Sequence, residues 1–245
     1  MLVNLAGSVY NQIGKVLEDK MHNDTKHCNE VLRLLSESHP DAAPELRFKN
    51  PFELLIATIL SAQCTDKQVN RCTEALFRDY PDAESMAKLS PDELSQYIRP
   101  CGFFNTKGKN ILATCNMLIS KYGGDVPQTM EELVALPGVG RKTANVVLSN
   151  AFKKPAIAVD THVARVSNRL GLADSNDVLK IEKQLMESIP EDKWSIAHHW
   201  LIFHGRRVCS SKKPKCSECT LKDVCRHYAE RTEVRAEAAG EPSAL

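Results

Sequence analysis

A Pro-Gly turn between two helical runs constrains this chain more than any other stretch. Thr129-Met130-Glu131-Glu132 is a capping-box pattern, with Thr129 as N-cap and Glu132 at the third helical position. It predicts a short helix over Glu131 to Leu136, with Leu133 and Leu136 on one face. Pro137 and Gly138 end that helix, and Ala144, Val147 and Leu148 fall at helical spacing on a second one. The result is a helix-hairpin-helix. Glycines let its turn adopt positive φ and let another backbone come close. Gly138, Val139, Gly140 and Arg141 then present N–H groups of the turn and of the second helix as an anion site. A backbone cradle of this kind grips a phosphate without reading a base, which suits nucleic acid of any sequence.

Two other anion-binding motifs fail here. A Walker A loop needs glycine directly before its Lys-Thr pair, and Arg141 stands there. The third glycine of a dinucleotide fingerprint would fall on Thr143. A bare interhelical turn without a ligand is the plain alternative, and the full Leu-Pro-Gly-Val-Gly-Arg-Lys string is more specific than that.

The rest of the chain is helical in pattern. Asn50-Pro51 opens a helix that is apolar nearly all round, and Thr65-Asp66 and Ser90-Pro91-Asp92-Glu93 open the next two. Cys101 to Asn105 reads as a loop with two aromatics, followed by a helix from about Thr106 to Gly123. After the hairpin, Ala156 to Val159 is strand-like but too short to make a sheet. Asp160 then leads a helix that Gly171 stops, and helices near 177–189 and 193–204 follow. Residues 1–27 are an extension, read either as an amphipathic helix or as a disordered arm. The charged tail over 229–245 reads as disordered. An all-α fold follows. The net charge of +1 confines any nucleic-acid contact to a local patch. No signal peptide or membrane span is evident, which predicts a cytoplasmic protein with no membrane partner.

Cys209, Cys216, Cys219 and Cys225 follow the spacing C-x6-C-x2-C-x5-C. Four thiolates so close in a reducing compartment repel one another unless a metal centre holds them. Zinc fits the chemistry, but its sites usually use two short knuckles, and only Cys216/Cys219 form one. An iron–sulfur cluster tolerates the uneven spacing and is favoured over zinc. Between the first two ligands lie Lys212, Lys213 and Lys215, a positive patch for phosphates if the cluster holds it rigid. Cys28, Cys64, Cys72, Cys101 and Cys115 sit at or near apolar faces and read as core.

The hairpin with Lys142, the Val159-Asp160-Thr161-His162 segment and the four cysteines together resemble the endonuclease III family of DNA glycosylases. Ser61-Ala62-Gln63 with Thr65-Asp66 also matches, and the resemblance covers about residues 28 to 228. It implies a two-lobed helix-hairpin-helix glycosylase fold with a C-terminal 4Fe–4S loop. One lobe would span 44–155 and the other 28–43 with 156–228. Lys142 and Asp160 would face each other across the cleft between them.

The implied activity is excision of oxidised pyrimidines from duplex DNA, then cleavage at the abasic sugar by β-elimination, carried out by a monomer. Lys142 lies just inside the N-terminus of the hairpin's second helix, where the dipole disfavours an ammonium, as does Arg141. A free amine there can attack the sugar C1′ and form a Schiff base. Asp160 would stabilise positive charge on the sugar or help deprotonate the lysine, while capping its own helix. Gln63 and Phe103 would fill the gap left by the flipped base. The family often has Leu at the second position, so loop packing is the other reading of Phe103. His162 either lines the pocket or is structural, and His198, His199 and His204 read as interface or packing residues, not ligands. Adenine and mismatched-thymine glycosylases share the fold, and a catalytically silent DNA-binding module is the alternative from another class.

Overall fold

The computed structural model describes residues 25–239, and every regular element among them is a helix. Helix α1 occupies 25–38. Then come α2 (Pro51–Leu60), α3 (Asp66–Asp79), α4 (Ala83–Met86), α5 (Pro91–Ile98), α6 (Phe104–Tyr122), α7 (Met130–Val134) and α8 (Arg141–Asn150). The last four are α9 (Thr161–Leu170), α10 (Val178–Ser188), α11 (Trp194–Arg207) and α12 (Arg226–Ala239). No described helix is long and apolar enough to cross a membrane.

The chain divides into two compact units, 43–158 and 25–42 with 159–239. In the first, α2 is the central element. Asn50 caps it by accepting the Glu53 N–H, Pro51 starts it, and every residue from Phe52 to Leu60 is buried. Leu54, Leu55, Ile56 and Leu60 pack with Leu76 of α3, Leu94 and Ile98 of α5, Ile111 and Leu118 of α6, and Leu133 of α7. Fully burying one such side chain is worth about 1.5–3 kcal/mol, so this apolar set is what fixes the hairpin's position within the unit. In the second unit α9 lies against α11. The contact is close at Gly205, where a Cβ would come within 3.0 Å of His162 Nδ1.

Local signals mostly set the helix starts. Ser90 and Glu93 form a complete capping box. Thr129 accepts the Glu132 N–H as expected, while Glu132 takes the Thr129 hydroxyl instead of its N–H. Helix α4, with its own box on Asp82 and Ser85, had no counterpart in the sequence reading.

Two expectations are corrected. The tail does not turn disordered at 229, because α12 continues to Ala239; its Ala, Glu and Arg content carries charge but also high helix propensity. Helix α6 begins at Phe104, not near Thr106, and Phe103 caps it with left-handed backbone. Residues 1–24 and 240–245, including Val9, Ile13, Val16 and Leu17, lie outside the described residues.

Candidate functional site

The hairpin turn is built around one obligatory glycine and one that its surroundings do not require. Gly138 has φ 77°, and a Cβ there would meet Asn110 of α6 at 2.7 Å. The Thr114 hydroxyl on α6 donates to the Pro137 carbonyl at 2.9 Å, which pins the turn. Gly140, by contrast, has φ −93°, open to any residue, and a Cβ there would meet nothing within 4 Å. The space over Gly140 therefore faces outward, where a ligand can come against bare backbone. Helix α8 starts there with no side-chain cap. The first N–H groups of a helix lack intrahelical carbonyl partners and carry the positive end of its dipole. Arg141 and Lys142 are its first two residues, both exposed.

Val139 leaves the anion-binding set. Its side chain is 6% exposed within the core, and its N–H donates to the Leu136 carbonyl at 3.1 Å. Its hydrophobicity is spent on packing and its donor on closing the turn.

Asp160 is the N-cap of α9. Its Oδ1 accepts from both His162 N–H and Val163 N–H, each at 2.8 Å. Oδ2 takes no hydrogen bond among the described residues, so half of a half-buried, rigidly held carboxylate is left for other work. Nδ1 of His162 lies 3.2 Å from the Arg165 guanidinium, and the same side chain stands close to Gly205 of α11.

Gln63 and Phe103 are both exposed, Phe103 at 68%. Both carry left-handed backbone, with φ 52° and 47°. An L residue there costs about 1–3 kcal/mol and persists only where its surroundings over-determine it. Exposure at this level removes loop packing as an explanation of Phe103. A large ring standing in solvent on a strained backbone is available to stack.

The four cysteines line one pocket together with His204, Val208 and Leu170. Burial first, and then the charge of the other cysteines, push the Cys219 and Cys225 thiols up, against backbone N–H bonds that pull them down. Four ionised sulfurs at this spacing need a cation between them. No three His, Cys, Asp or Glu side chains among the described residues converge where one metal ion could sit. A mononuclear zinc site draws sulfurs to about 2.3 Å from a single centre. The four sulfurs lining one pocket are the donor set that either a zinc ion or an iron–sulfur cluster uses.

Sequence reasoning missed the side chains that hold this loop. Arg169 donates to Cys209 Sγ at 3.3 Å and to the Ser210 and Ser211 carbonyls at 2.8 and 3.0 Å. Arg165, one turn earlier on α9, donates to the Cys209 carbonyl. His204 Nε2 lies 3.6 Å from Cys219 Sγ, and its Nδ1 lies 3.1 Å from His39 Nε2. Burial, with His39 a smaller cause, pushes His204 down to about 4 and keeps it neutral. The pair Arg165/Arg169 at i, i+4 was the available signal. Lys212, Lys213 and Lys215 are exposed on the loop these residues brace.

Lys107 on α6 was also missed. It is only 5% exposed, and its ammonium donates to the Leu60 carbonyl at 2.8 Å and the Cys101 carbonyl at 2.7 Å. Cys28, Cys72, Cys101 and Cys115 are buried and Cys64 is half-buried.

Residues 56–191 match the family model of the HhH-GPD superfamily base excision DNA repair proteins. The chain is 49% identical over 211 residues to endonuclease III of Haemophilus influenzae, covering 86% of this chain and 99% of that protein. It is similar to a solved non-covalent endonuclease III–DNA complex, with a TM-score of 0.81, 49% identity, and coverage of 85% of this chain and 98% of that one. A trapped covalent endonuclease III–DNA intermediate matches with a TM-score of 0.78 at 49% identity, over 84% of this chain and 98% of that one.

Proposed function

This chain belongs to the endonuclease III family within the HhH-GPD superfamily, a bifunctional DNA glycosylase and abasic-site lyase of base excision repair, and on that premise we propose how its residues divide the work. Gly138, Gly140 and Arg141 grip a phosphate of duplex DNA at the start of α8. Gln63 and Phe103 enter the stack as the damaged base is extruded. The substrates are oxidised pyrimidines and abasic sites.

The Lys142 amine attacks C1′ and the C1′–N bond to the base breaks, the base leaving with a proton. The C1′–O4′ bond then breaks, O4′ takes up a proton to become a hydroxyl, and an iminium is left between Lys142 Nζ and C1′. Loss of a proton from C2′ then expels the 3′ phosphate by β-elimination, and water releases the lysine. Asp160 offsets the positive charge that grows on the sugar and takes the proton that the lysine must lose before attack. The observation that carries this reading is the open space over Gly140 at an uncapped helix start, with Lys142 one residue beyond Arg141.

Cys209, Cys216, Cys219 and Cys225 would hold a 4Fe–4S cluster. When bound, it cross-links the loop that presents Lys212 and Lys213 to the phosphate backbone and takes no part in the bond changes above. Arg169 donates to the Cys209 sulfur, and His204 Nε2 lies against the Cys219 sulfur. The protein acts as a monomer in the compartment that holds DNA.

Borohydride trapping on a panel of duplexes tests the substrate. Adducts on oxidised-pyrimidine and abasic duplexes are expected, with none on adenine opposite oxidised guanine or on a thymine–guanine mismatch. Trapping confined to a mismatch would replace the substrate reading.

A further inference from the structure

The two loops that carry Gln63 and Phe103 share one buried tie. Gln63 lies in the turn after α2, and Phe103 directly precedes α6. Each is a non-glycine residue in left-handed backbone, so each needs its loop held from below. Leu60 is the last residue of α2, and Cys101 is the last residue of the 3₁₀ turn Arg99–Cys101. Their carbonyls belong to helical ends, which lack intrahelical partners and carry the negative end of the local dipole. Both accept from the Lys107 ammonium, at 2.8 and 2.7 Å.

A lysine is an expensive way to fill a core position, because its charge must be satisfied away from water. An apolar side chain of the same length would fill the volume without that cost. What only the ammonium supplies is a pair of donors fixing the two loop bases relative to each other. Gly108, next along α6, keeps the helix close to α5, since a Cβ there would already touch Ile98 at 3.4 Å. The tie is therefore short and has little slack.

We propose that Lys107 is a positioning residue for base extrusion: it fixes the spacing of the two loops so that Gln63 and Phe103 enter the duplex as a pair. The inference rests on the reading of those two residues as the ones that fill the vacated stack. Loss of the tie slows opening of the duplex and leaves the chemistry at C1′ unchanged.

The test is Lys107→Met, close in length and uncharged, studied as the full chain with its metal content intact. Three rates are measured: 2-aminopurine fluorescence beside the lesion for extrusion, single-turnover excision from an oxidised-pyrimidine duplex, and strand cleavage at a preformed abasic site in single-stranded DNA. Extrusion and duplex excision should both fall about 10- to 100-fold, with single-strand cleavage within about threefold of wild type. Equal losses in all three, or no loss in extrusion, overturn the inference. If wild type excises no lesion and opens no duplex, the reading of Gln63 and Phe103 fails first and takes the inference with it. Should the variant not fold, hydrogen exchange on the wild type decides. Amides of 61–65 and 101–105 opening in one cooperative step support the tie, and independent opening of the two segments refutes it.

Discussion

The carboxylate of Asp160 and the backbone N–H of Val163 are 2.8 Å apart, and the bond is made by the same oxygen, Oδ1, that accepts from His162. Capping uses one oxygen of the side chain, and the proposed catalytic role falls to the other. Asparagine can keep the cap but not the charge. Asp160→Asn should hold stability within about 0.5 kcal/mol and DNA affinity near wild type, yet lose excision roughly 100-fold or more. Asp160→Ala should lose excision and also about 1 kcal/mol of stability. Thermal melts with single-turnover excision separate the two, and undiminished turnover in the asparagine variant would remove Asp160 from the chemistry.

The two hairpin glycines should respond oppositely to alanine. Gly138→Ala forces a Cβ onto Asn110 at positive φ and should destabilise the fold by about 1–3 kcal/mol. Gly140→Ala meets nothing, and its unfolded-state gain of about 0.4–1 kcal/mol is offset by alanine's poorer N-capping, so stability should change by less than about 1 kcal/mol. It should nevertheless weaken binding to an abasic-site duplex by roughly tenfold or more, because the methyl group stands where the phosphate would approach. Full affinity in a folded Gly140→Ala protein would mean that no phosphate sits there.

Lys212 and Lys213 should act through charge alone. Replacing either with alanine should lower the slope of log affinity against log salt by about 0.9 and weaken all duplexes alike. Iron content and melting temperature should not change. A slope equal to wild type would leave these lysines as solvated surface.

Two buried thiols outside the four-cysteine pocket should give the stability curve an alkaline edge. Burial pushes Cys28 up to about 11 and Cys115 up to about 12. Below their ordinary value near 9, folded and unfolded chains both hold these protons, and stability does not depend on them. Above it the unfolded chain releases protons that the folded chain retains, so stability falls as pH rises from 9 toward 11. Urea midpoints across this range should fall less steeply in Cys28→Ala/Cys115→Ala than in wild type. Parallel slopes would show that neither thiol is protected.

Much of this was legible because its causes are local. Asn50-Pro51, Ser90 with Glu93, Thr129 and Asp160 all announce helix starts, and the structure has each cap. Gly138 was legible for the same reason, since its positive φ belongs to the turn. Val139 was not, because whether a turn residue faces the core depends on where α6 lies. Lys107, Arg169 and His204 stayed hidden because their partners are 47, 41 and 15 residues away, on carbonyls and sulfurs that no side-chain pattern advertises. The left-handed backbone at Gln63 and Phe103 was equally invisible, because glycine is the only residue that signals it. Helix α12 was misread because Glu and Arg serve a disordered tail and a helix equally well.

The most direct measurement is the location of the covalent bond to DNA. Full-length protein is reduced with borohydride on an oxidised-pyrimidine duplex, digested, and the cross-linked peptide sequenced by mass spectrometry. The account predicts a sugar remnant on Nζ of Lys142, and no adduct in Lys142→Ala although that variant folds and binds the same duplex. An adduct on any other residue, or trapping that survives Lys142→Ala, would contradict it.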